Sequence, residues 1–584
     1  MSKKQTQRQW FEKQLKKYKY STVSNKFKLF KKKFPKSNIT SFNESLRRTA
    51  RELNIYNDSK ASLEDNKLKR KILSVYSKTA KNIKDTPSYS DLGFKRNDIV
   101  KLFKSKSELD KQARKLYPKR FEEVKNPKVW NRSRFDNLKD TIRNNDTFII
   151  TTAIGECDVD YKFLRSIKTY CKENNAKLLI LVADQKLDCL DEDLKKEQVV
   201  FDDIKLNNNL FISTIKILPK MIEPVTGLDR IGGKRGSFIF GSPKQRLRYI
   251  PVSRKDKMPH CIMTTGSITL PKYIGAKYYQ KRTDYLAEQD HKMGAVIVNI
   301  ENQEYYHFRQ IQADKSGGFV DLGKYYQGDK SSETETETVV FGDLHTGDTD
   351  PNAMKCWEQL CRDIKAKSIV VHDGFNGHSI NHHERDDIIN RTITYQNNRN
   401  GLKKELDEYA QLLNRLTKTH DKIYIVKSNH DDFLYKYLRK GWYIEDPENH
   451  LISLDLAKDM ILGKNPIQEY VSKKIDHPNK IIWLDRDDDI YIENIKISDH
   501  GDKGSNGSRG RSLKSLEKTS HKSIVAHSHS PEILRDFWRV GTSTKLKLSY
   551  TEGPSSWFHT SGVIYKGGHR QLINSINGRY LPKK

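Results

Sequence analysis

The sequence predicts a multidomain α/β protein. Three observations predict it. Short apolar runs of strand length recur from Thr147 onward and alternate with stretches of helical spacing, as in sheets covered by helices. In the C-terminal half these runs end on segments rich in Asp and His. Residues 1–140 instead carry 39 Lys and Arg against 15 Asp and Glu, an excess of 24 within a net charge of +32 for the 584-residue chain.

The basic region, 1–140, reads as mainly helical. Phe27, Leu29, Phe30 and Phe34 interleave with Lys26, Lys28 and Lys31–Lys33, as in amphipathic helices whose lysine stems cover apolar surface. Ser41, Asn43 or Ser45 can cap a helix through Leu53, and Ser107-Glu108-Leu109 can start another. A helix-turn-helix is compatible with this pattern but is not specified by it. The charge points to a polyanionic partner, with nucleic acid the leading candidate. The simpler reading is a solvated helical surface.

Residues 141–330 read as an α/β accessory domain. Thr147–Thr152, Phe163–Glu173 and Leu178–Val182 form a strand–helix–strand unit, and further apolar runs lie at Phe211–Leu218, Phe238–Phe240 and Ala295–Ile300. Gly227–Arg235 invites a phosphate-loop reading and fails it. The spacing to Gly233-Lys234 is one residue too long, and Arg235 stands where Ser or Thr is required. It is expected to be a Gly-rich turn, and no ATPase is encoded.

Lys330–Thr338 (KSSETETET) is a polar, low-complexity stretch and a candidate linker into a third domain, 331–584. There Val339–Phe341 ends at Gly342-Asp343, Ser368–Val371 at His372-Asp373, and Lys422–Val426 at Ser428-Asn429, while Val525 precedes His527. Helical spacing fills Asp386–Thr417. Strand, polar segment and helix in repetition predict a layered domain with its site at the carboxyl ends of strands.

Composition excludes several classes. Six scattered Cys with no CxxC pair give neither a disulfide framework nor a structural zinc site. No apolar stretch approaches the roughly 18 residues of a membrane span, and the charged start is not a signal peptide. A reducing cytoplasm fits. Histidine is concentrated: of 18, none precedes His260 and 14 lie between His345 and His559.

Five segments recur in order: Asp343-Leu344-His345, His372-Asp373-Gly374, Ser428-Asn429-His430-Asp431, Asp499-His500-Gly501 and Ala526-His527-Ser528-His529. They contain the carboxylates, amide and imidazoles of a two-metal hydrolytic site. Asp343 and His345, two apart, can face one ion. Asp373 is placed to bridge two. His527 and His529 can serve different ions, and the neutral oxygen of Asn429 suits Mn²⁺ or Mg²⁺. His430 is then left to protonate a leaving oxygen.

This set resembles the calcineurin-like metallophosphoesterase family, whose pattern runs D-x-H, G-D, G-N-H-D/E, H and G-H-x-H. Here it reads GDLH, HDGFNG, SNHD, SDHG and AHSH, within residues 338–575. The resemblance implies a β-sandwich flanked by helices. It also implies one metal at Asp343, His345, Asp373 and His529, a second at Asp373, Asn429, His500 and His527, and His430 as the catalytic histidine. Three glycines of the pattern are replaced, by His372, Ser428 and Ala526. His372 is bulky enough to reach substrate or to stack on a neighbour. Asn376 stands where many members carry a second acid.

The basic region and the segments GDKGSNGSRG (501–510) and GPSSWFHT (553–560) extend the likeness to DNA-processing members. These include the nuclease subunit of double-strand-break-repair complexes and the early DNA-degradation and DNA-transfer nucleases of tailed phages. That likeness implies a manganese-dependent DNA nuclease acting in the host cytoplasm, and, by analogy, a homo-oligomer. Lys503, Arg509 and Arg511 in the Gly/Ser-rich loop can pair with phosphates, or the loop is simply solvated. His378, His382 and His383 read as surface groups or neighbours of the ligands, with contact to substrate as the alternative, Trp557 and His559 as cleft or core, and His420, His450, His477 and His521 as structural or exposed. The competing functions are a small-substrate phosphatase or nucleotide phosphodiesterase, and a DNA-transfer or DNA-binding protein with a vestigial site.

Overall fold

The computed structural model describes residues 6–17, 23, 26–36, 38–52, 60–83, 87, 89–94, 96–103, 105–121, 132–253, 258–273, 281–510, 512–519, 521–548 and 551–583. They fall into two compact units, Met1–Val129 and Trp130–Lys584.

The first unit is helical, as its sequence predicts. Its principal helices are Gln7–Lys17, Phe27–Lys33, Ile39–Glu52, Lys60–Ile83, Arg96–Phe103 and Lys106–Leu116. Phe30 is fully buried among Trp10, Phe11, Phe42 and Leu46, while neighbouring Leu29 is exposed, so the aromatic–lysine interleaving does sort into an inner and an outer face. A second cluster packs Ile72, Tyr76, Ile99, Phe103 and Leu109. The helix expected from Ser107 starts earlier, because the Ser105 side chain accepts from Glu108 N at 3.1 Å. The helix expected from Ser41 to Ser45 starts at Ile39, where Asn38 Oδ1 accepts from Ser41 N at 2.8 Å. Leu53, its expected end, lies outside the described residues.

The second unit holds four sheets. A five-stranded sheet, ordered 306–312, 294–300, 147–153, 177–182 and 198–200, contains the predicted strand–helix–strand unit, with 147–153 and 177–182 parallel. A three-stranded meander covers Phe319–Glu333. A six-stranded sheet is ordered 481–484, 423–426, 369–372, 336–340, 560–565 and 570–574. Its first four strands are mutually parallel, so their carboxyl ends share one edge. A ten-stranded sheet joins strands of 491–539 to strands of 204–264.

Alternation explains how the last two sheets pack. Val340, Val370 and Val426 face Ile524, Trp538 and Val540 of the ten-stranded sheet. Their neighbours Val339, Ile369, Val371 and Ile425 face the opposite side, under the helices Pro351–Asp363 and Leu402–Thr419. Side chains that alternate in a strand serve two cores, and the result is a sandwich with helices on one outer face.

Several sequence expectations are redrawn. The expected boundary at 330/331 is crossed by the ten-stranded sheet, where Glu532–Leu534 pairs antiparallel with Arg246–Leu247–Arg248. Pairing of this kind removes two exposed strand edges. The boundary at 140/141 falls inside the helix Arg132–Arg143, which lies in the second unit. Lys330–Thr338 is not a linker: it holds the strand Lys330–Glu333 of the meander and the start of the strand Thr336–Val340 of the six-stranded sheet. Thr336 and Thr338 point into the core while Glu335 and Glu337 point out, where both pair with Lys367. The Ser/Thr/Glu composition hid a period of two. Gly227–Arg235 is largely helical, from Asp229 to Arg235, and a Cβ at Gly232 would stand 2.3 Å from the Ile250 side chain. That glycine serves packing. The long helix expected over Asp386–Thr417 is interrupted between Ile388–Gln396 and Leu402–Thr419 by Asn397–Gly401.

A buried charge network stitches the ten-stranded sheet to the loops around it. Arg246, 1% exposed, meets Asp290 at 2.5 Å, and Arg535 reaches Asp290 at 3.3 Å and Glu517 at 2.6 Å. Arg246→Met removes the main partner of a buried carboxylate. The expected loss is about 3–5 kcal/mol, measured as a drop of several degrees in Tm of the full chain. An unchanged Tm would mean that Arg535 alone satisfies Asp290.

Candidate metal centre

The five segments converge at the carboxyl edge of the parallel strands. Asp343 follows the strand Thr336–Val340, Asp373 follows Ile369–His372, and Asn429 and His430 follow Ile423–Val426. His500 comes from the loop after Ile495–Lys496, and His527 and His529 from the loop after Lys522–Val525.

Three groups of side chains could each hold an ion, their donor atoms lying within 4.8 Å of one another: Asp343, His345 and His529; Asp373, His500 and His527; and His345, Asp373 and His430. Asp343 Oδ2 stands 3.0 Å from His529 Nε2, and Asp373 Oδ2 stands 3.1 Å from His500 Nε2. His345 Nε2 is 3.1 Å from His529 Nε2, and Asn429 Oδ1 is 3.2 Å from His500 Nε2. Ligands bound at about 2.0–2.2 Å and about a right angle apart are themselves about 3 Å apart. The donor spacing therefore suits cations bridged by Asp373. So does the lack of any hydrogen-bond partner at Asp343 Oδ1 and Asp373 Oδ1, both buried.

Electrostatics point the same way. Burial opposes ionisation of Asp343, yet the His529 hydrogen bond and the neighbouring imidazoles bring its pKa down to about 2. Burial likewise opposes ionisation of Asp373, but His500, His430 and His345 hold it well below the carboxylate range. Burial disfavours a charged His500, but Asp373 and Asp343 outweigh it and push the imidazole up to about 9. His345 is pushed down to about 3, by burial first and His430 second. In the chain alone a proton on His500 partly balances the two carboxylates. A bound cation would take over that role and displace the proton.

The backbone is shaped around these donors. His345, Asp373, His527 and His529 all have positive φ, between 42° and 80°. Non-glycine residues rarely adopt this region, although Asp and His enter it more readily than most. Asp343 is pinned from behind. Its carbonyl accepts from Ser543 N at 2.8 Å and from Thr542 Oγ1 at 3.0 Å. That approach needs a glycine at 342, since a Cβ there would stand 2.7 Å from the Gly541 backbone, while Gly541 leaves room for the backbone of Phe558 on its own other side.

His430 differs from the other imidazoles. Its Nδ1 donates to the Asn376 carbonyl, and its ring packs between His345 and Phe433, with centroids 4.4 and 4.6 Å away. Asn376 is held in turn by Asp348, through its Nδ2 at 2.9 Å, and Asp348 pairs with Arg399 at 3.0 Å. The sequence carries little sign of Phe433, Asp348 or Arg399. Asn376 was visible only as a departure from the family pattern, and its contribution to His430 comes from the main chain.

His372 is fully buried. Its Nδ1 lies 3.4 Å from His500 Nδ1 and its ring is tilted against that imidazole. It therefore packs against His500, one of the two roles that its bulk allows. Trp557 packs edge-on to His529 at 4.1 Å and lines the cleft, as do His378 and His383. His559 lines a separate cavity beside it. The loop after His500 is a small hairpin, closed by Gly510 N to Asp502 O at 2.7 Å. Lys503 on it is half exposed and 3.7 Å from Asp432, and Arg509 is exposed. Arg511 lies outside the described residues.

Comparison with known proteins finds a likeness to Protein A1 of Escherichia phage T5, 26% identical over 477 residues, spanning 75% of this chain and 84% of that protein. No protein-family model matches the chain, and no solved structure matches it. No helix among the described residues is long and apolar enough to cross a membrane.

His372→Gly deletes a buried ring packed on His500. The expected outcome is a loss of about 1–3 kcal/mol in stability, read as a lower Tm. A native Tm would mean that the ring contributes nothing to the packing.

Proposed function

We propose that the chain is a metal-dependent phosphodiesterase that cuts DNA, and the observation that carries this reading is the convergence of Asp343, His345, Asp373, Asn429, His500, His527 and His529 around buried, unpartnered carboxylate oxygens. Asp343, His345, Asp373 and His529 would hold one divalent cation; Asp373, Asn429, His500 and His527 would hold the other. Mn²⁺ suits this mixed oxygen and imidazole set, with Mg²⁺ as the alternative. Two such ions supply Lewis-acid polarisation of the phosphodiester and of the attacking water.

The protein's own groups do the rest. The Asn376 carbonyl fixes the His430 ring through Nδ1 and leaves Nε2 for proton exchange. His430 then protonates the leaving oxygen as general acid. His345, edge-on, and Phe433, tilted, both pack against the ring.

DNA is favoured over small phosphoesters by the charge of residues 1–140, which carry 24 of the 32 net positive charges. Lys503, which lines a cavity together with His500, and Arg509, paired with it across the hairpin, would add donors to phosphates. The likeness to a phage protein is compatible with action in the cytoplasm of an infected bacterium. Assembly as a homo-oligomer is part of the same proposal.

The deciding experiment incubates the full chain with linear and circular DNA in EDTA, Mg²⁺ or Mn²⁺. Cleavage is expected with Mn²⁺ and none with EDTA, and cleavage of closed circles would mark an endonuclease. Binding should weaken steeply with added salt. His430→Ala should lower the cleavage rate by about 10²–10⁴-fold while bound metal and DNA affinity stay near wild type; wild-type cleavage would remove His430 from the chemistry. Asp373→Ala should lose both activity and bound metal by elemental analysis, and retention of two ions would rule out its bridging role.

A further inference from the structure

A second cavity of about 590 Å³ lies beside the metal cleft, and Trp557 lines both. The indole meets His529 edge-on on the cleft side. The second cavity is also lined by Tyr305, Phe558, Asn352, Asn577 and Lys547. Its size falls within the range of roughly 300–1,000 Å³ typical of small-ligand sites.

Beside aliphatic side chains and the Asp350 carboxylate, which is engaged in capping the helix Pro351–Asp363, the lining offers a ligand three chemical parts. Trp557, Tyr305 and Phe558 supply aromatic surface, and Phe558 is itself held in place by Tyr249, with ring centroids 5.4 Å apart. Asn352 and Asn577 are exposed amides that offer both donors and acceptors, the pattern that reads a base edge. Lys547 is an exposed cation at the rim. Aromatic faces, amides and one cation together match a nucleotide: base, base edge and phosphate.

The position is as informative as the lining. An indole in contact with a candidate metal ligand separates the cavity from the place where a scissile phosphate would sit. A nucleotide next to that phosphate, turned out of its stack, would reach past Trp557 into the cavity. We infer that this cavity is a nucleobase subsite that accepts an unstacked nucleotide flanking the phosphodiester to be cut. This rests on the phosphodiesterase reading and sharpens it: the preferred substrate is single-stranded or frayed DNA, in which unstacking costs least.

The test uses the full chain with Mn²⁺ and variants on the far wall, Tyr305→Ala and Asn352→Ala, neither of which touches a candidate ligand. Two substrates are compared: bis(p-nitrophenyl) phosphate, which has no base, and a single-stranded oligonucleotide. Loss of a stacked base corresponds to about a five- to 150-fold effect. The expected result is a fall of that size in kcat/KM for the oligonucleotide, with hydrolysis of the base-free diester unchanged. An abasic residue beside the scissile phosphate should reproduce the fall in the wild-type protein. Wild-type kcat/KM for both variants, or full activity on the abasic strand, would overturn the subsite. If the wild type hydrolyses neither substrate, the phosphodiesterase reading fails by itself. The subsite is then judged by quenching of a 2-aminopurine oligonucleotide: quenching lost in Tyr305→Ala sustains it, and absence of quenching in the wild type removes it.

Discussion

Two carboxylates, Asp343 and Asp373, lie fully or almost fully buried among imidazoles, and much of the surrounding backbone follows from keeping them there. A buried carboxylate without compensation is costly, so it must meet cations, donors or a metal. Here each meets a histidine at 3.0–3.1 Å on one oxygen and no hydrogen bond on the other. Bringing five chain segments to one point in this way forces tight turns at strand ends. Four of the donor residues have positive φ, and Gly342 lets the chain at Gly541–Ser543 close against Asp343. Strain and burial of this kind cluster where function over-determines geometry.

The donors were legible in the sequence, and the reason is chemical. Asp, His and Asn at strand ends have no packing role that would explain them, and their order constrains the topology that joins them. The groups that position them were not legible. Asn376 acts through a carbonyl that every residue type possesses, and Thr542 and Ser543 reach Asp343 across some 200 positions of sequence. His372 was ambiguous because a histidine at a strand end can point either way. Only the register of Ile369–His372 against Ile423–Val426 puts it behind His500.

Domain boundaries were the hardest feature to read. The ten-stranded sheet pairs Arg246–Leu247–Arg248 with Glu532–Leu534, nearly 300 residues apart, and no local composition marks such a join. Lys330–Thr338 misleads for the opposite reason. Its composition looks like a linker, yet its Thr residues face the core and its Glu residues face lysines. The charge of residues 1–140 belongs to a different scale of interaction. On the proposed reading it would act through long-range attraction to phosphates, screened by salt, whereas buried donors act at contact distance and are screened little.

That separation bears on whether the centre is active or vestigial. A protein that only bound DNA would need the basic helices but not the buried donors. Two buried carboxylate oxygens without partners and four left-handed residues each cost stability, on the order of 1–3 kcal/mol apiece. His500, charged between Asp343 and Asp373, offsets part of the electrostatic cost but leaves Asp343 Oδ1 and Asp373 Oδ1 without a donor. On the proposed reading the remaining cost would be met by cations at the positions that those oxygens and imidazoles face, and binding energy of that kind is also folding energy. A site that had lost its ions would relieve the strain most simply by replacing a carboxylate with an apolar residue. Here all seven proposed donor positions hold residues able to bind metal, and His430, tied to a backbone carbonyl, stands against Phe433 at the edge of the same cleft. That retention favours, within the proposed reading, a centre that binds ions over a vestigial one.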